Sequence, residues 1–196
     1  MESYLSEHLA ASAEAAVALA EDARARLVLH EMAHAILASL KAGGKLLLAG
    51  NGGSAADTQH VAAEFVSRLN FNRSPLPALA LTESGPILTA IGNDYGFASV
   101  FARQIAALGR AGDVFWAFST SGNSPNLIEA QQLAKGLGLT TLGFAGEAGG
   151  AMLGNVDHLF RAPSFQPQIV QQLHIAAAHA VLGALERHMF AGMVPA

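Results

Sequence analysis

KLLLAGNGGSAAD, residues 45–57, is the stretch that decides the fold of this chain. Its first six residues form a short apolar run that ends in glycine, as a buried strand does. The glycines that follow allow the backbone to turn tightly, and a helical pattern begins at Ser54 and continues to about Leu69. The stretch therefore predicts a strand, a glycine-rich loop and a helix, an arrangement that is typical of α/β folds.

The same alternation of strands and helices continues along the chain. Four more apolar runs predict strands, namely PALAL at 77–81, VFWAF at 114–118, TTLGF at 140–144 and the weaker HLFRA at 158–162. Helical patterns fill residues 4–41, 54–69, 97–109, 125–137, 147–153 and 169–190. Strands that alternate with helices predict an α/β fold with a parallel sheet covered on both faces.

No repeat or linker divides the chain, so we expect one domain over residues 1–196. Gly43 and Gly44 end the first helical stretch. The expected domain therefore consists of N-terminal helices over 1–42 and an α/β core over 43–196 that ends in a long helix.

Composition restricts the class of protein. Of 196 residues, 52% are hydrophobic and only 13% are charged, and the mean hydropathy is +0.34. Such a chain can fill a core, and its scarcity of charge favours an oligomer that buries part of the surface. The net charge of −4 and the pI near 6.0 argue against non-specific binding to nucleic acid.

Several classes of protein are excluded by what the sequence lacks. It has no cysteine, so disulfides and thiolate metal sites are excluded. The start, MESYLSEH, has neither the basic region nor the apolar region of a signal peptide. The sequence has no run of about 18 apolar residues, the length that a membrane-spanning helix needs. We therefore expect a cytoplasmic protein with no membrane partner.

Two polar loops follow predicted strands, at the edge of the sheet where α/β folds bind ligands. GNGGSAAD (50–57) follows the first strand, and STSGNSPN (119–126) follows the third. Glycines, hydroxyl side chains and a helix N-terminus together suit a phosphate monoester. Neither loop has the lysine of a triphosphate-binding loop or the GxGxxG pattern of a dinucleotide site. Each loop alone is as often an ordinary turn, but two of them in one sheet favour an anion site.

Two helices carry residues that can titrate or bind a metal. QHVAAEF places His60 and Glu64 at i and i+4, and QQLHIAAAH on the last helix carries Gln171, His174 and His179. Taken alone, the first pair is more often a solvated helix face, and histidines on an alanine-rich helix are usually core residues. Because the helix after the first loop runs away from it, the first pair needs the last helix or a neighbouring subunit to complete a site.

Four segments together carry a family resemblance. KLLLAGNGGSAADTQHVAAEFVSRL, LTAIGNDYGF, STSGNSPN and the QxxHxxxxH pattern of the last helix occur in this order over nearly the whole chain. In this they closely resemble the sedoheptulose-7-phosphate isomerases of the SIS (sugar isomerase) fold family. The resemblance implies a five-stranded parallel sheet, N-terminal helices that build a homotetramer, and active sites at subunit interfaces. It also implies conversion of sedoheptulose 7-phosphate to D-glycero-D-manno-heptose 7-phosphate, for bacterial heptose and lipopolysaccharide precursor synthesis.

The resemblance also implies roles for individual residues. Glu64 and His179 match the acid–base pair of the family. One zinc ion per subunit is expected, with ligands matched by His60, Glu64, Gln171 and His179. The phosphate-holding serines are matched by Ser54, Ser119, Ser121 and Ser124. The rest of the substrate site is matched by Asn51, Gly52, Gly53, Glu64, Asn93, Asp94, Thr120 and Gln171.

The expected reaction explains why these residue types are needed. An aldose–ketose shift moves a proton between two adjacent carbons through an enediol, so a carboxylate base must reach both carbons. A second group must move protons among the oxygens, which suits a histidine. The nitrogen and oxygen ligands, without a thiolate, are compatible with zinc but not selective for it.

Some positions depart from the family pattern and leave alternatives open. Gln172 stands where many relatives have a glutamate, and Pro167 and Gln168 stand where a threonine and often an aspartate occur near the sugar. TESGPIL (82–88) also differs from the usual segment. A related ketose phosphate is therefore an alternative substrate.

Two alternatives of another class are a non-catalytic SIS protein that binds the replication initiator and a sugar-phosphate-sensing domain. Retention of Glu64 and His179 argues against the first. The sequence contains no DNA-binding domain of the kind usually fused to the second.

One motif points to different chemistry. HEMAH, residues 30–34, matches the HExxH pattern of zinc proteases, in which two histidines on one helix face bind zinc and the glutamate activates water. It precedes every predicted strand, and no third ligand follows at the spacing of the metzincins. Its helix also carries apolar residues typical of a packing surface. We therefore expect HEMAH to be a coincidental match.

Overall fold

The sheet is built from the five predicted apolar runs. In the computed structural model, which describes residues 1–193, the strands are β1 (Leu46–Gly50), β2 (Ala78–Ala80), β3 (Val114–Phe118), β4 (Thr140–Ala145) and β5 (His158–Arg161). All paired strands are parallel, in the order β2-β1-β3-β4-β5. Every residue of β1 and β3 is buried, which is why these strands are continuous apolar runs without alternation. The prediction of an α/β fold with a five-stranded parallel sheet is confirmed.

Seven α-helices occur within residues 1–193. They are α1 (Glu2–Glu21), α2 (Ala23–Lys41), α3 (Gly53–Val66), α4 (Gly85–Tyr95), α5 (Ala102–Leu108), α6 (Pro125–Gly136) and α7 (Pro167–Met189). Buried residues of α1, α2, α3 and α7 form the apolar core on one face of the sheet, and those of α5 and α6 form the core on the other. α7 contacts α1, α2 and α3, so it holds the first layer together.

Three helical segments differ from the sequence-based prediction. Residues 147–153 do not form an α-helix, because Gly149 and Gly150 adopt positive φ of 74° and 57° and leave only a 3-10 turn at Gly150–Met152. Residues 97–109 are divided into a 3-10 turn at Phe97–Ser99 and the short α5. α4 was not predicted, although it has two ordinary start signals. Ser84 caps it by accepting a hydrogen bond from the Ile87 N–H, and a proline lies in its first turn.

Two helices leave much of their apolar surface uncovered. α4 has no buried residue, and Ile87 and Tyr95 are exposed on it. α1 buries only Ala15, while Leu5 and Leu9 are exposed. Within residues 1–193, no helix is both long enough and apolar enough to cross a bilayer.

Candidate active site

The first polar loop connects β1 to α3 through glycines. Gly52 has a φ of +56°, a backbone conformation that residues other than glycine rarely adopt. A Cβ on Gly53 would lie 2.5 Å from Nε2 of Gln171, so only glycine lets α7 approach the loop this closely. Ser54 lies buried in the first turn of α3. The loop thus presents a buried hydroxyl and the free N–H groups of a helix N-terminus on one side of Gln171.

The second polar loop follows β3 and is held in a tight turn by its own serines. Oγ of Ser119 accepts a hydrogen bond from the Gly122 N–H at 3.1 Å and lies 3.1 Å from Oγ of Ser124. Oγ of Ser121 accepts from the Asn123 N–H at 3.1 Å. The hydroxyls therefore gather at the N-terminus of α6, which begins immediately after Ser124.

Thr120 contributes its backbone to the same turn. Its carbonyl oxygen accepts a hydrogen bond from the Gly146 N–H at 3.0 Å, which ties the loop after β3 to the loop after β4.

An amide pair joins the two polar loops. Nδ2 of Asn51 donates to Oδ1 of Asn126 at 3.0 Å, and Nδ2 of Asn126 donates to Oδ1 of Asn51 at 2.9 Å. β1 and β3 are neighbours, so their carboxyl ends already lie side by side. The pair fixes the spacing between the two helix N-termini. Asn126 was not among the predicted site residues, although it ends the quoted STSGNSPN segment.

Three of the four predicted metal residues, among them the predicted acid–base pair, converge between α3 and α7. Nε2 of His60 lies 3.1 Å from Nε2 of His179, and it lies 3.3 Å from Oε1 of Glu64. Oε2 of Glu64 lies 3.4 Å from Nε2 of His179. The Glu64 side chain is 15% exposed, whereas the histidines are more open to solvent. The last helix thus supplies the missing partner within one chain.

This cluster has the donor set of a metal centre. The ligand atoms of His60, Glu64 and His179 all lie within 4.8 Å of one another. Oε2 of Glu64 is buried and has no hydrogen-bond partner among residues 1–193, which leaves a lone pair available for a cation. Two imidazole nitrogens on a tetrahedral zinc ion, each 2.0–2.1 Å from it, are separated by about 3.3 Å, close to the distance between these two. The residues present therefore fit a zinc-like ion.

A buried carboxyl lies one turn before this cluster on α3. Oδ2 of Asp57 is buried and finds no hydrogen-bond partner in the described part of the chain. Burial raises the pKa of Asp57, and the nearby His60 opposes this by lowering it. Asp57 was not among the predicted site residues, although it lies within the quoted GNGGSAAD segment.

An ion pair clamps the end of α3 to α7. Nε of Arg73 donates to Oε1 of Glu186 at 2.9 Å, and neither side chain is exposed. Nη2 of Arg73 donates to the backbone carbonyl of Glu64 at 2.9 Å, and Nη1 donates to that of Phe65 at 2.8 Å. The clamp thus joins the helix of Glu64 to the helix of His179. No local sequence signal reveals this pair, because its members are separated by 113 residues.

Two predicted substrate residues lie on α4. Asn93 and Asp94 are near the end of α4, both are exposed, and Nδ2 of Asn93 donates to Oδ1 of Asp94 at 2.8 Å. His174 of α7 is a core residue, since it is fully buried and its Nε2 lies 3.1 Å from the carbonyl oxygen of Ala145.

HEMAH lacks the geometry of a protease site. The carboxylate of Glu31 pairs with His158 on β5, with Oε2 3.2 Å from Nδ1. A zinc protease needs this glutamate beside the metal-bound water. The expectation that HEMAH is not a protease centre therefore agrees with the position of Glu31.

The five-stranded parallel sheet and the two polar loops at the carboxyl ends of β1 and β3 define the class of this protein. It is a SIS domain, and a family model of the SIS domain matches residues 9–146.

Similar proteins narrow the class to one family. A phosphoheptose isomerase of Burkholderia pseudomallei (strain 1710b) is 46% identical over 187 residues, which cover 95% of each chain. One of Roseiflexus sp. (strain RS-1) is 50% identical over 159 residues, or 81% of each chain. The solved phosphoheptose isomerase of Francisella tularensis has a TM-score of 0.90 and 31% identity, covering 94% of this chain and 97% of that one. The solved phosphoheptose isomerase of Neisseria gonorrhoeae has a TM-score of 0.88 and 38% identity, and the match covers 94% of this chain and 98% of that one. This chain belongs to the phosphoheptose isomerase family of SIS-domain proteins, and the resemblance found in the sequence is confirmed.

Proposed function

We propose that this chain is an aldose–ketose isomerase that converts sedoheptulose 7-phosphate to D-glycero-D-manno-heptose 7-phosphate. Membership of the phosphoheptose isomerase family supports both the reaction class and the seven-carbon substrate. The observation that carries the proposal is the mostly buried carboxylate of Glu64, which lies between the imidazoles of His60 and His179. A carboxylate next to a second proton-carrying group is what an enediol mechanism requires.

The phosphate is proposed to bind at the two polar loops. Ser54 and the serines after β3 place hydroxyls beside the N-termini of α3 and α6, where backbone N–H groups and helix dipoles favour an anion. His60 and Glu64 follow Ser54 by six and ten residues, which is about 9 and 15 Å along a helix. Their side chains lean back toward the N-terminus. This separation suits an extended sugar whose phosphate is at C7 and whose reacting carbons are at the other end.

Glu64 and His179 then divide the proton transfers. Glu64 takes the proton from the carbon next to the carbonyl, and the electron pair of that C–H bond forms the double bond of a cis-enediol. Glu64 returns the proton to the neighbouring carbon, which completes the shift. His179, whose Nε2 is 3.4 Å from Oε2 of Glu64, moves the matching proton between the two sugar oxygens.

The proposed zinc ligands are His60, Glu64, Gln171 and His179, with one ion per subunit. The first, second and fourth form the compact cluster described above. The Gln171 amide of α7 instead lies against Gly53, seven residues before His60 and about 10 Å along α3, so it would have to turn toward the ion to bind it. Bound zinc would polarise the sugar carbonyl as a Lewis acid. Because a zinc-bound carboxylate is a weaker base, Glu64 would have to leave the ion when it takes the proton from carbon.

A homotetramer with active sites at subunit interfaces is also proposed. The exposed apolar side chains of α1 and α4, such as Leu5, Leu9 and Ile87, support an interface there. A neighbouring subunit packed on α4 would place Asn93 and Asp94, both exposed in one chain, at that interface. We further propose that residues 1–196 form a single domain and that the protein acts in the cytoplasm. There it would supply the heptose from which lipopolysaccharide precursors are made.

A direct assay tests the function. Purified protein is supplied with sedoheptulose 7-phosphate, and loss of the ketose is followed with and without a chelator. Glu64→Gln should lower kcat by about 10²–10⁴-fold, because a general base is removed, while binding of the sugar phosphate is retained. The control Lys41→Gln removes an exposed charge at the end of α2, away from the proposed interface helices, and should keep full activity. Near-normal turnover by folded Glu64→Gln protein would contradict the proposal.

A panel of ketose phosphates tests the alternative substrate. Pro167 begins α7, and Nε2 of Gln168 donates to Oε1 of Gln166. Neither residue has the carboxylate that often occurs near the sugar in relatives. Gln172 is exposed. A higher kcat/KM for another ketose phosphate than for sedoheptulose 7-phosphate would assign the chain to that sugar.

A further inference from the structure

The first polar loop contains a pair of residues that can react with each other. Asn51 is the only asparagine of the chain that is followed by glycine. The side-chain amide of an asparagine can be attacked by the backbone nitrogen of the next residue, and glycine hinders this attack least because it has no Cβ. A Cβ built on Gly52 would meet no atom within 4 Å, so the space beside this residue is open.

The attacking nitrogen is unrestrained. Gly52 is exposed, and its N–H donates no hydrogen bond to an acceptor within residues 1–193. It precedes the first residue of α3, so the helix does not engage it either. Solvent can therefore remove the proton of this nitrogen, which is the first requirement of the attack.

The carbon that would be attacked is restrained, and by one side chain. Both polar atoms of the Asn51 amide are bonded to Asn126, with Nδ2 donating at 3.0 Å and Oδ1 accepting at 2.9 Å. Asn126 is only 2% exposed and lies in the first turn of α6, so it cannot follow the Asn51 side chain if that side chain rotates. Rotation of Cγ of Asn51 toward the Gly52 nitrogen must therefore break both hydrogen bonds.

We propose that Asn51–Gly52 is a site of spontaneous deamidation and that the amide pair with Asn126 protects it. When the pair opens, the Gly52 nitrogen loses its proton and bonds to Cγ of Asn51. The bond from Cγ to Nδ2 breaks, and the amide leaves as ammonia with that proton. Water then opens the resulting succinimide at one of its two carbonyls and leaves an aspartate or an isoaspartate at position 51.

The product changes the charge of the loop. A neutral amide is replaced by a carboxylate three residues before Ser54, in the loop proposed to hold the phosphate. Like charges repel, so the modified protein should bind a sugar phosphate more weakly. This consequence rests on the proposed function, whereas the reaction itself does not.

Peptide mapping tests the protection with the whole protein. Folded protein is incubated at mildly alkaline pH and digested with trypsin, and the peptide 46–68, whose only asparagine is Asn51, is followed by mass spectrometry. Asn126→Ala should convert Asn51 roughly 5- to 150-fold faster than the wild type, the factor by which two neutral hydrogen bonds favour the closed pair. Asn126→Asp keeps the shape but cannot donate to Oδ1 of Asn51, so it should also be faster. The control Asn72→Ala, which removes an exposed asparagine, should react as the wild type does.

Two outcomes would count against the inference. Equal rates in the wild type and in those Asn126 variants that circular dichroism shows to be folded, or no conversion in any of them, would overturn the protected site. Asn51→Asp carries the charge of the product from the start and should raise KM for sedoheptulose 7-phosphate. An unchanged KM would overturn the effect on phosphate binding. A wild type without isomerase activity would refute the proposed function but leave the comparison of rates intact.

Discussion

Replacing Glu186 by glutamine tests whether one buried ion pair holds the two active-site helices together. The carboxylate accepts hydrogen bonds from the Leu69 N–H and the Asn70 N–H at 2.8 Å each, and from Nε of Arg73 at 2.9 Å. Arg73 in turn donates to the backbone carbonyl of Glu64. Burial raises the pKa of Glu186, but these hydrogen bonds outweigh burial and leave the pKa lowered. The group is therefore an ionised partner of Arg73 at neutral pH.

The expected loss of stability follows from this geometry. Glutamine keeps the shape of the side chain but removes its charge, so Arg73 remains buried without a counter-charge, and an NH₂ group faces N–H donors. Removing one partner of a buried pair costs about 3–5 kcal/mol. Urea-induced unfolding at fixed protein concentration measures the change as a lower midpoint with an unchanged slope. The exposed control Lys41→Gln should stay within about 0.5 kcal/mol of the wild type.

The pH dependence supplies a second readout. The pKa of Glu186 lies below its usual value of 4.5, so its stabilisation is complete above pH 4.5. This stabilisation is lost as the pH falls through the folded-state pKa. The difference in free energy of unfolding between the wild type and Glu186→Gln should therefore become smaller in acid. A lower kcat is also expected, because Arg73 holds the backbone of Glu64. A loss of less than about 1 kcal/mol at neutral pH would refute the reasoning, since that is no more than one ordinary hydrogen bond.

Three further predictions concern the phosphate, the metal and the core. Ser121→Ala and Ser124→Ala should each raise KM by about tenfold or more with a smaller effect on kcat, because the phosphate is held alike in ground and transition states; an unchanged KM in both would place the phosphate elsewhere. His60→Ala should lower the zinc content of dialysed protein, and full retention would contradict the proposed ligands. Burial lowers the pKa of His174 to about 4, although its hydrogen bond to Ala145 raises it. Neutral His174 therefore contributes about 3 kcal/mol to the free energy of unfolding above pH 6.5, and this contribution is lost as the pH falls to about 4. The free energy of unfolding of His174→Gln should fall less steeply with acid than that of the wild type. The same acid dependence in both proteins would contradict this.

The sequence determined the sheet and the two polar loops, because their signals are local. A strand buried on both faces must be apolar at every position, as β1 and β3 are. A backbone that turns into a helix N-terminus needs glycines and hydroxyl side chains within a few residues. The errors lay where local signals compete, as at residues 147–153, where Gly149 and Gly150 overrode a helical composition.

The tertiary structure alone decided which distant residues share a site. His60 and His179 are 119 residues apart, and only the packing of α3 beside α7 brings their nitrogens to 3.1 Å. Packing likewise brings Asn51 to Asn126 and Arg73 to Glu186, which are also distant in the sequence. HEMAH shows the reverse case, since its spacing predicts a metal pair but not which way Glu31 turns. Spacing along one helix fixes which side chains share a face, whereas the group opposite that face depends on how the helices pack against the sheet.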